Sequence, residues 1–139
     1  LSYPKPESRM RNERIRLAVW RRSGQPVHVS ETETGPLEYV VYGQPLQAHQ
    51  IRIVETADRE RPERTEGSLQ FMGPSATTGY FRNPEKTREL FHGQWLDSGD
   101  KAYLAEGNVY ITGRSKDIVI RAGRNIYPVE LEEAIGKVD

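Results

Sequence analysis

The sequence predicts an α+β fold dominated by short strands, on three observations. Apolar and polar residues alternate over residues 50–55 (QIRIVE) and again from Val109, the period of a strand that turns one face to a core. Glycine, proline and asparagine punctuate the chain at short intervals, at Gly43-Gln44-Pro45, Gly73-Pro74 and Glu106-Gly107-Asn108, so each strand is brief. Clear helix starts stand at Asn83-Pro84 and at Pro128, where a proline takes the first helical position and its missing amide proton costs nothing.

The elements follow in order. Residues 1–8 carry two prolines and little apolar content and read as an extended lead-in. Residues 9–22 hold six arginines around Ile15, Ala18 and Val19, a weak helical stripe that reads equally as a strand at 17–20. Residues 38–42 and 50–55 are strands. Residues 59–66 mix opposite charges around Pro62 and form the loop of a hairpin whose returning strand is 68–72, ended by Gly73-Pro74 because proline donates nothing to a ladder. This block reads as a β-meander packed on one face, with no chemistry in it.

Asn83 is an N-cap and residues 84–91 a short helix, with Leu90 and Phe91 burying its end. Gly93 turns the chain into a strand at Trp95 and Leu96, and a polar turn, Ser98-Gly99-Asp100, follows. Two further strands join at Glu106-Gly107-Asn108, a hairpin signal, with Val109, Ile111, Ile118 and Ile120 alternating inward. Pro128 opens a helix whose first turn carries Glu130, Glu132 and Glu133, as the positive end of a helix dipole favours. Leu131, Ala134, Ile135 and Val138 form its apolar stripe.

Composition narrows the function. Twenty basic and twenty acidic residues leave no global field to steer the chain toward nucleic acid. The arginines of 9–22 are offset by Glu31, Glu33 and Glu38 and lack interleaved aromatics, so a solvated or subunit-facing surface is the plainer account than a nucleic-acid patch. The absence of cysteine excludes disulfides, cysteine-ligated zinc and a thiol nucleophile, and makes cytoplasmic the expected setting. His28, His49 and His92 have no metal-ligand spacing and read as ordinary surface or turn residues; no metal site is expected. No apolar run is long enough to be a membrane-spanning helix. A high charged fraction, 29%, beside a low apolar one, 35%, points to part of the chain being solvated or normally covered by another segment. The chain opens on Leu1 and stops inside a continuing helix, so both ends read as cut.

Two glycine turns carry the chemistry. Asp100 follows Gly99 and presents a carboxylate at a strand end; it either caps its own turn or accepts hydrogen bonds from both hydroxyls of a ribose. Arg114 follows Gly113, and its five donors in a rigid fork suit a phosphate or ribose oxygen, or else a surface ion pair. Lys116-Asp117 reads as a pivot or as a plain polar loop. Ala122-Gly123-Arg124-Asn125 is a further turn where glycine permits close approach of an elongated ligand. No nucleophile and base pair and no Walker-type phosphate loop is present, so no catalytic residue is assigned.

Four collinear stretches, YGQPLQAHQIRIVE, EGSLQFMGPSATTGYFRNPEKTRELF, WLDSGD and GRSKDIVIRAGRNIYPVELEEAI, resemble the adenylate-forming (AMP-dependent) acyl ligase superfamily. The resemblance covers residues 40–139 and is nearest to fatty acyl-AMP ligases and long-chain acyl-CoA or acyl-carrier-protein synthetases. It implies ATP and a fatty or other carboxylic acid giving acyl-AMP, then acyl transfer to the thiol of CoA or acyl carrier protein after a small C-terminal domain rotates. By position, the resemblance gives Asp100 the ribose hydroxyls and Arg114 the ribose or phosphate. Lys116 takes the hinge, and Gly123 and Asn125 the pantetheine path.

The family's phosphate loop, its magnesium-associated glutamate and its downstream catalytic lysine are absent from these residues. Magnesium is expected for the full-length enzyme with its ligands elsewhere. The resemblance thus implies a fragment: residues 1–113 as a β-rich, distorted-barrel-like subdomain closing the large domain, and residues 114–139 as hinge and truncated start of the small α/β domain. Such a fragment is expected to be inactive alone. A noncatalytic scaffolding β-domain derived from such a ligase is the alternative.

Overall fold

The computed structural model describes residues 2–3, 12–16, 19–20, 23, 25–29, 37–117, 119–121, 124–126, 128 and 135. The final helix expected from Pro128 therefore lies largely outside the described residues, as does Ile118. The strands are β1 (Ser2–Tyr3), β2 (Asn12–Ile15), β3 (Leu37–Val40), β4 (Gln44–Pro45), β5 (Gln50–Val54) and β6 (Gly67–Met72). After helix α1 (Pro84–Leu90) come β7 (Phe91–His92), β8 (Trp95–Ala105), β9 (Asn108–Arg114), β10 (Val119–Arg121) and β11 (Arg124–Ile126). Pairing is antiparallel throughout, in a β-rich α+β arrangement.

The main sheet is five-stranded and built on β8. One edge of β8 pairs with β6, which in turn pairs with β5; the other edge pairs with β7 near its start and with β9 from Asp100 onward. Serving three partners makes β8 eleven residues long. Residues 98–100 were expected as a turn between strands, but the strand runs straight through them as a bulge. Ser68 faces Lys101 and Gln70 faces Asp97, so β8 carries two more residues than β6 over this interval. The polar Ser-Gly-Asp text looks the same in a turn and in a bulge, and only the long-range partner decides between them.

Local chemistry explains the clearer elements. Asn83 caps α1 through Oδ1, which accepts the Lys86 amide at 3.0 Å, with Pro84 opening the helix. Leu90 and Phe91 are only half-buried, and α1 buries no residue completely, which corrects the expected buried end. The β8–β9 hairpin closes through Glu106 and Gly107 with φ of 52° and 72°, the positive pair that a two-residue primed turn needs.

The meander is expected to pack on one face; the hairpin of β8 and β9 that it joins carries a core on both. Alternation along β8 and β9 sends Tyr103, Ala105 and Tyr110 to one side, where they pack with Ile15, Trp20 and Tyr39. Ala102 and Val109 go to the other, with Ile53 and Leu69. Tyr103 and Tyr110 are direct cross-strand partners, and their rings stack with centroids 4.8 Å apart. Tyrosine, polar at one end and apolar along its ring, hides this second face from a reading based on alternation.

The charged loop at 59–66 is also more than a solvated connection. Arg64 donates its amide to the Leu104 carbonyl at 2.7 Å, and Glu63 accepts the Glu106 and Gly107 amides at 3.4 and 3.3 Å. The Arg64 guanidinium meets the Glu13 carboxylate at 2.6 Å, and Tyr103 Oη donates to the other Glu13 oxygen at 2.6 Å. Burial pushes the Tyr103 hydroxyl far above the usual tyrosine range, and the neighbouring Glu13 pushes it the same way, so it remains a donor. Glu13 is buried, and these two donors satisfy a charge that would otherwise be costly to hide.

Tyr103→Phe is therefore expected to remove one donor from a buried carboxylate and to lower unfolding free energy by about 1–3 kcal/mol. Urea denaturation of the purified chain checks this; a loss below a few tenths of that range would mean that Arg64 alone satisfies Glu13.

Candidate functional site

The site lies where β8 leaves its bulge and β9 ends. Gly99 has φ of 77°, a left-handed conformation that side-chain-bearing residues resist, and the space where a Cβ would project is open. The requirement for glycine is thus torsional, not steric. Around it the loop satisfies its own backbone: Asp97 Oδ1 accepts the Gly99 amide at 2.7 Å, and Ser98 Oγ accepts the Asp100 amide at 3.0 Å. Ser115, just past β9, donates its amide to the Gly99 carbonyl at 2.9 Å. Asp97 and Ser98 thereby take the capping work that Asp100 was a candidate for, and the Asp100 carboxylate is left to face its neighbour.

That neighbour is Arg114. Asp100 and Arg114 are direct cross-strand partners, with Arg114 Nε 3.5 Å from Asp100 Oδ1. Directly opposed residues share a face of the sheet, so both side chains project together. The carboxylate side chain is 21% exposed and the guanidinium one 74%. An ion pair that long, with one partner so open to water, contributes about 0–1 kcal/mol, and an arriving group can separate it at little cost. Chemically the pair offers two carboxylate acceptors at the floor and a forked cation at the rim, a combination suited to adjacent hydroxyls beside a negative charge.

Lys116 sits exposed in the turn after β9, which Asp117 closes by donating its amide to the Arg114 carbonyl at 3.0 Å. Gly123 lies outside the described residues. The Asn125 backbone pairs with Ile120 across β10 and β11. The structure thus brings Asp100 and Arg114 together, with Lys116 two residues beyond.

A second polar cluster was not anticipated. Gln70, fully buried, accepts two hydrogen bonds from Arg52 at 2.9 and 2.7 Å and donates to Asp58 at 2.9 Å. Asp58 meets His92 Nδ1 at 2.8 Å, and the Arg52 guanidinium lies 4.5 Å from the Trp95 ring centroid. The chain links β5, β6, β7 and β8 over one face of the sheet. His49 is likewise engaged, with Nε2 2.6 Å from Ser75 Oγ and Nδ1 3.1 Å from the Gln47 carbonyl. No sequence spacing announces the first of these clusters, whose hydrogen-bonded partners lie 12 to 34 residues apart in the chain. Among the described residues no three acidic or histidine side chains converge to hold a metal, so no step is assigned to one. No helix among them is long and apolar enough to cross a membrane.

Comparison with known proteins adds to this geometry. No family model matches the chain. An acyl-CoA ligase of Cochliobolus lunatus is 40% identical over 97 residues, 69% of this chain and 28% of that ligase. A solved structure from work on fatty acyl-adenylate ligases of E. coli and L. pneumophila superposes with a TM-score of 0.88 at 31% identity, covering 98% of this chain and 24% of the other. The O-succinylbenzoate coenzyme A synthetase of Bacillus subtilis, solved in complex with ATP and magnesium ion, gives a TM-score of 0.64 at 30% identity over 70% of this chain and 20% of its own. The chain thus spans between a fifth and three tenths of the length of these proteins.

The second cluster has a titration of its own. The hydrogen bond from His92, followed by that from Gln70, holds the Asp58 carboxyl below the ordinary aspartate value of 3.8. A carboxyl depressed in the folded state stabilises the fold above its unfolded value, and that contribution is lost as pH falls through the folded one. NMR titration of the Asp58 carboxyl carbon is expected to give a midpoint below 3.8 that rises in His92→Ala; a midpoint unmoved by that substitution would assign the shift elsewhere.

Proposed function

The chain belongs to the adenylate-forming acyl ligase superfamily, and on that premise we propose that it is the nucleotide-gripping portion of an ATP-dependent acid–thiol ligase. The observation that carries the proposal is the Asp100–Arg114 pair, set opposite each other at one end of the sheet. In the proposed reaction a carboxylic acid attacks the α-phosphate of ATP, pyrophosphate leaves, and the acyl-AMP then passes its acyl group to a thiol with release of AMP. The similarity to the fatty acyl-adenylate ligase structure, at a TM-score of 0.88, supports a fatty acid as substrate. The thiol is that of CoA or acyl carrier protein, and the setting is cytoplasmic.

In this reading Asp100 accepts hydrogen bonds from the two ribose hydroxyls while Arg114 turns toward the ribose or the phosphate. An ordered floor costs the ligand little reorganisation, since Asp97 already holds the Gly99 amide and Ser98 the Asp100 amide. Residues 1–113 complete the large domain, Lys116 is the hinge, and residues 114–139 begin the small domain. Gly123 and Asn125 border the path of the pantetheine thiol after rotation. ATP and magnesium accompany the reaction, and the metal is held by residues outside this set.

Asp100→Ala in the complete ligase is expected to lower kcat/KM for ATP by about ten- to a thousandfold, the equivalent of one or two charge-assisted hydrogen bonds. Pyrophosphate exchange measures it, with the isolated chain as a zero-turnover control. An unchanged value would remove Asp100 from the nucleotide site and favour a scaffolding role.

Lys116→Pro should spare acyl-AMP formation and slow thioester formation, because a pivot must change its backbone angles between the two half-reactions. Equal loss in both, followed by separate assays of pyrophosphate exchange and thioester yield, would point to misfolding instead.

A further inference from the structure

The pairing of Asp100 with Arg114 depends on an irregularity in β9. Lower in the hairpin the register is regular, with Tyr103 opposite Tyr110 and Ala102 opposite Ile111. Continued without interruption, that register would set Asp100 against Gly113 and Arg114 against Gly99. A slip of one residue also exchanges the two faces of a strand, so the guanidinium would leave the side occupied by the carboxylate. The observed register differs because one residue, Thr112, is inserted between the pairs Ala102–Ile111 and Lys101–Gly113.

Thr112 is held in that place by a specific contact. Its side chain is buried, 4% exposed, and its hydroxyl donates to Glu66 Oε1. Glu66 immediately precedes β6, so the bond runs from one neighbour of β8 to the other. A buried hydroxyl that lost this acceptor would have to find another partner, and regular pairing would move it away from Glu66. The inserted residue therefore has a chemical reason to remain inserted. Thr112 and Arg114 lie two residues apart on β9, so the backbone of that strand carries the influence of one on the placement of the other.

We propose that Thr112, anchored by Glu66, is a positioning residue that fixes the β9 bulge and so places Arg114 opposite Asp100. The inference rests on the nucleotide-binding reading of that pair. Its effect on ligand use passes entirely through Arg114, and this makes it separable from a general contribution to stability.

The test is a double-mutant cycle on kcat/KM for ATP in the complete ligase, using Thr112→Val, Arg114→Ala and the two combined. Thr112→Val is expected to lower the value by about three- to a hundredfold, the range that a misplaced positioning group produces. The combined variant should be no worse than Arg114→Ala alone, because Thr112 has nothing left to position. Thr112→Ser keeps the hydroxyl and should stay within about twofold of the parent, and it serves as the informative variant if the valine protein does not fold.

Full additivity of the two substitutions, an unaffected Thr112→Val, or a Thr112→Ser variant as impaired as Arg114→Ala would each overturn the inference while leaving the nucleotide-binding reading intact. An Arg114→Ala variant with unchanged ATP use would overturn both.

Discussion

Strand β8 must satisfy backbone donors and acceptors on both of its edges, and the rest of the sheet follows from how it does so. A single partner on each side would allow a uniform ladder. Here β6 runs along one edge while β7 and β9 divide the other, and the pairings with β6 and β9 each carry an insertion while that with β7 is regular. The bulge at residues 98–100 reconciles β6 with β8, and Thr112 reconciles β8 with β9. Asp100 ends one irregularity and Arg114 follows the other by two residues. The candidate site is thus a product of the mismatch, located where pairing changes and where side chains are re-aimed.

The same constraint explains why both faces carry a core. A strand hydrogen-bonded on both edges can bury side chains above and below without stranding polar backbone, and β8 does so with Tyr103 and Ala102. The aromatic layer then needs the Glu13 carboxylate to accept the Tyr103 hydroxyl, and Glu13 needs Arg64. In this way the loop at 59–66, whose composition reads as solvent-facing, becomes the lid over the hairpin and the source of the Glu66 contact.

Elements governed by near neighbours in sequence were readable from it. The cap at Asn83 with Pro84 and the turn at Glu106-Gly107 depend on torsional preferences, and the pairing of residues 50–54 with 67–72 joins strands adjacent in the chain. Asp100 and Arg114 were also visible as glycine-flanked charges at strand ends. What the sequence does not display is register. Ser98-Gly99-Asp100 has the composition of a turn, and only the pairing with β6 on both sides of it makes it a bulge. Thr112 looks like an ordinary strand threonine, and Gln70 like the polar half of an alternating pair, until their partners 46 and 12 residues away are in place.

The looseness of the Asp100–Arg114 contact has a further consequence. Arg114 acts as a tethered counterion, so the open site is close to electrically neutral and its carboxylate meets an approaching anion already screened. On the proposed nucleotide-binding reading, entry of a negatively charged ligand is an exchange of partners by the guanidinium, from carboxylate to ligand, with no second cation recruited from solution. Because the tether is the last residue of β9, that exchange is felt first at the junction with the following turn.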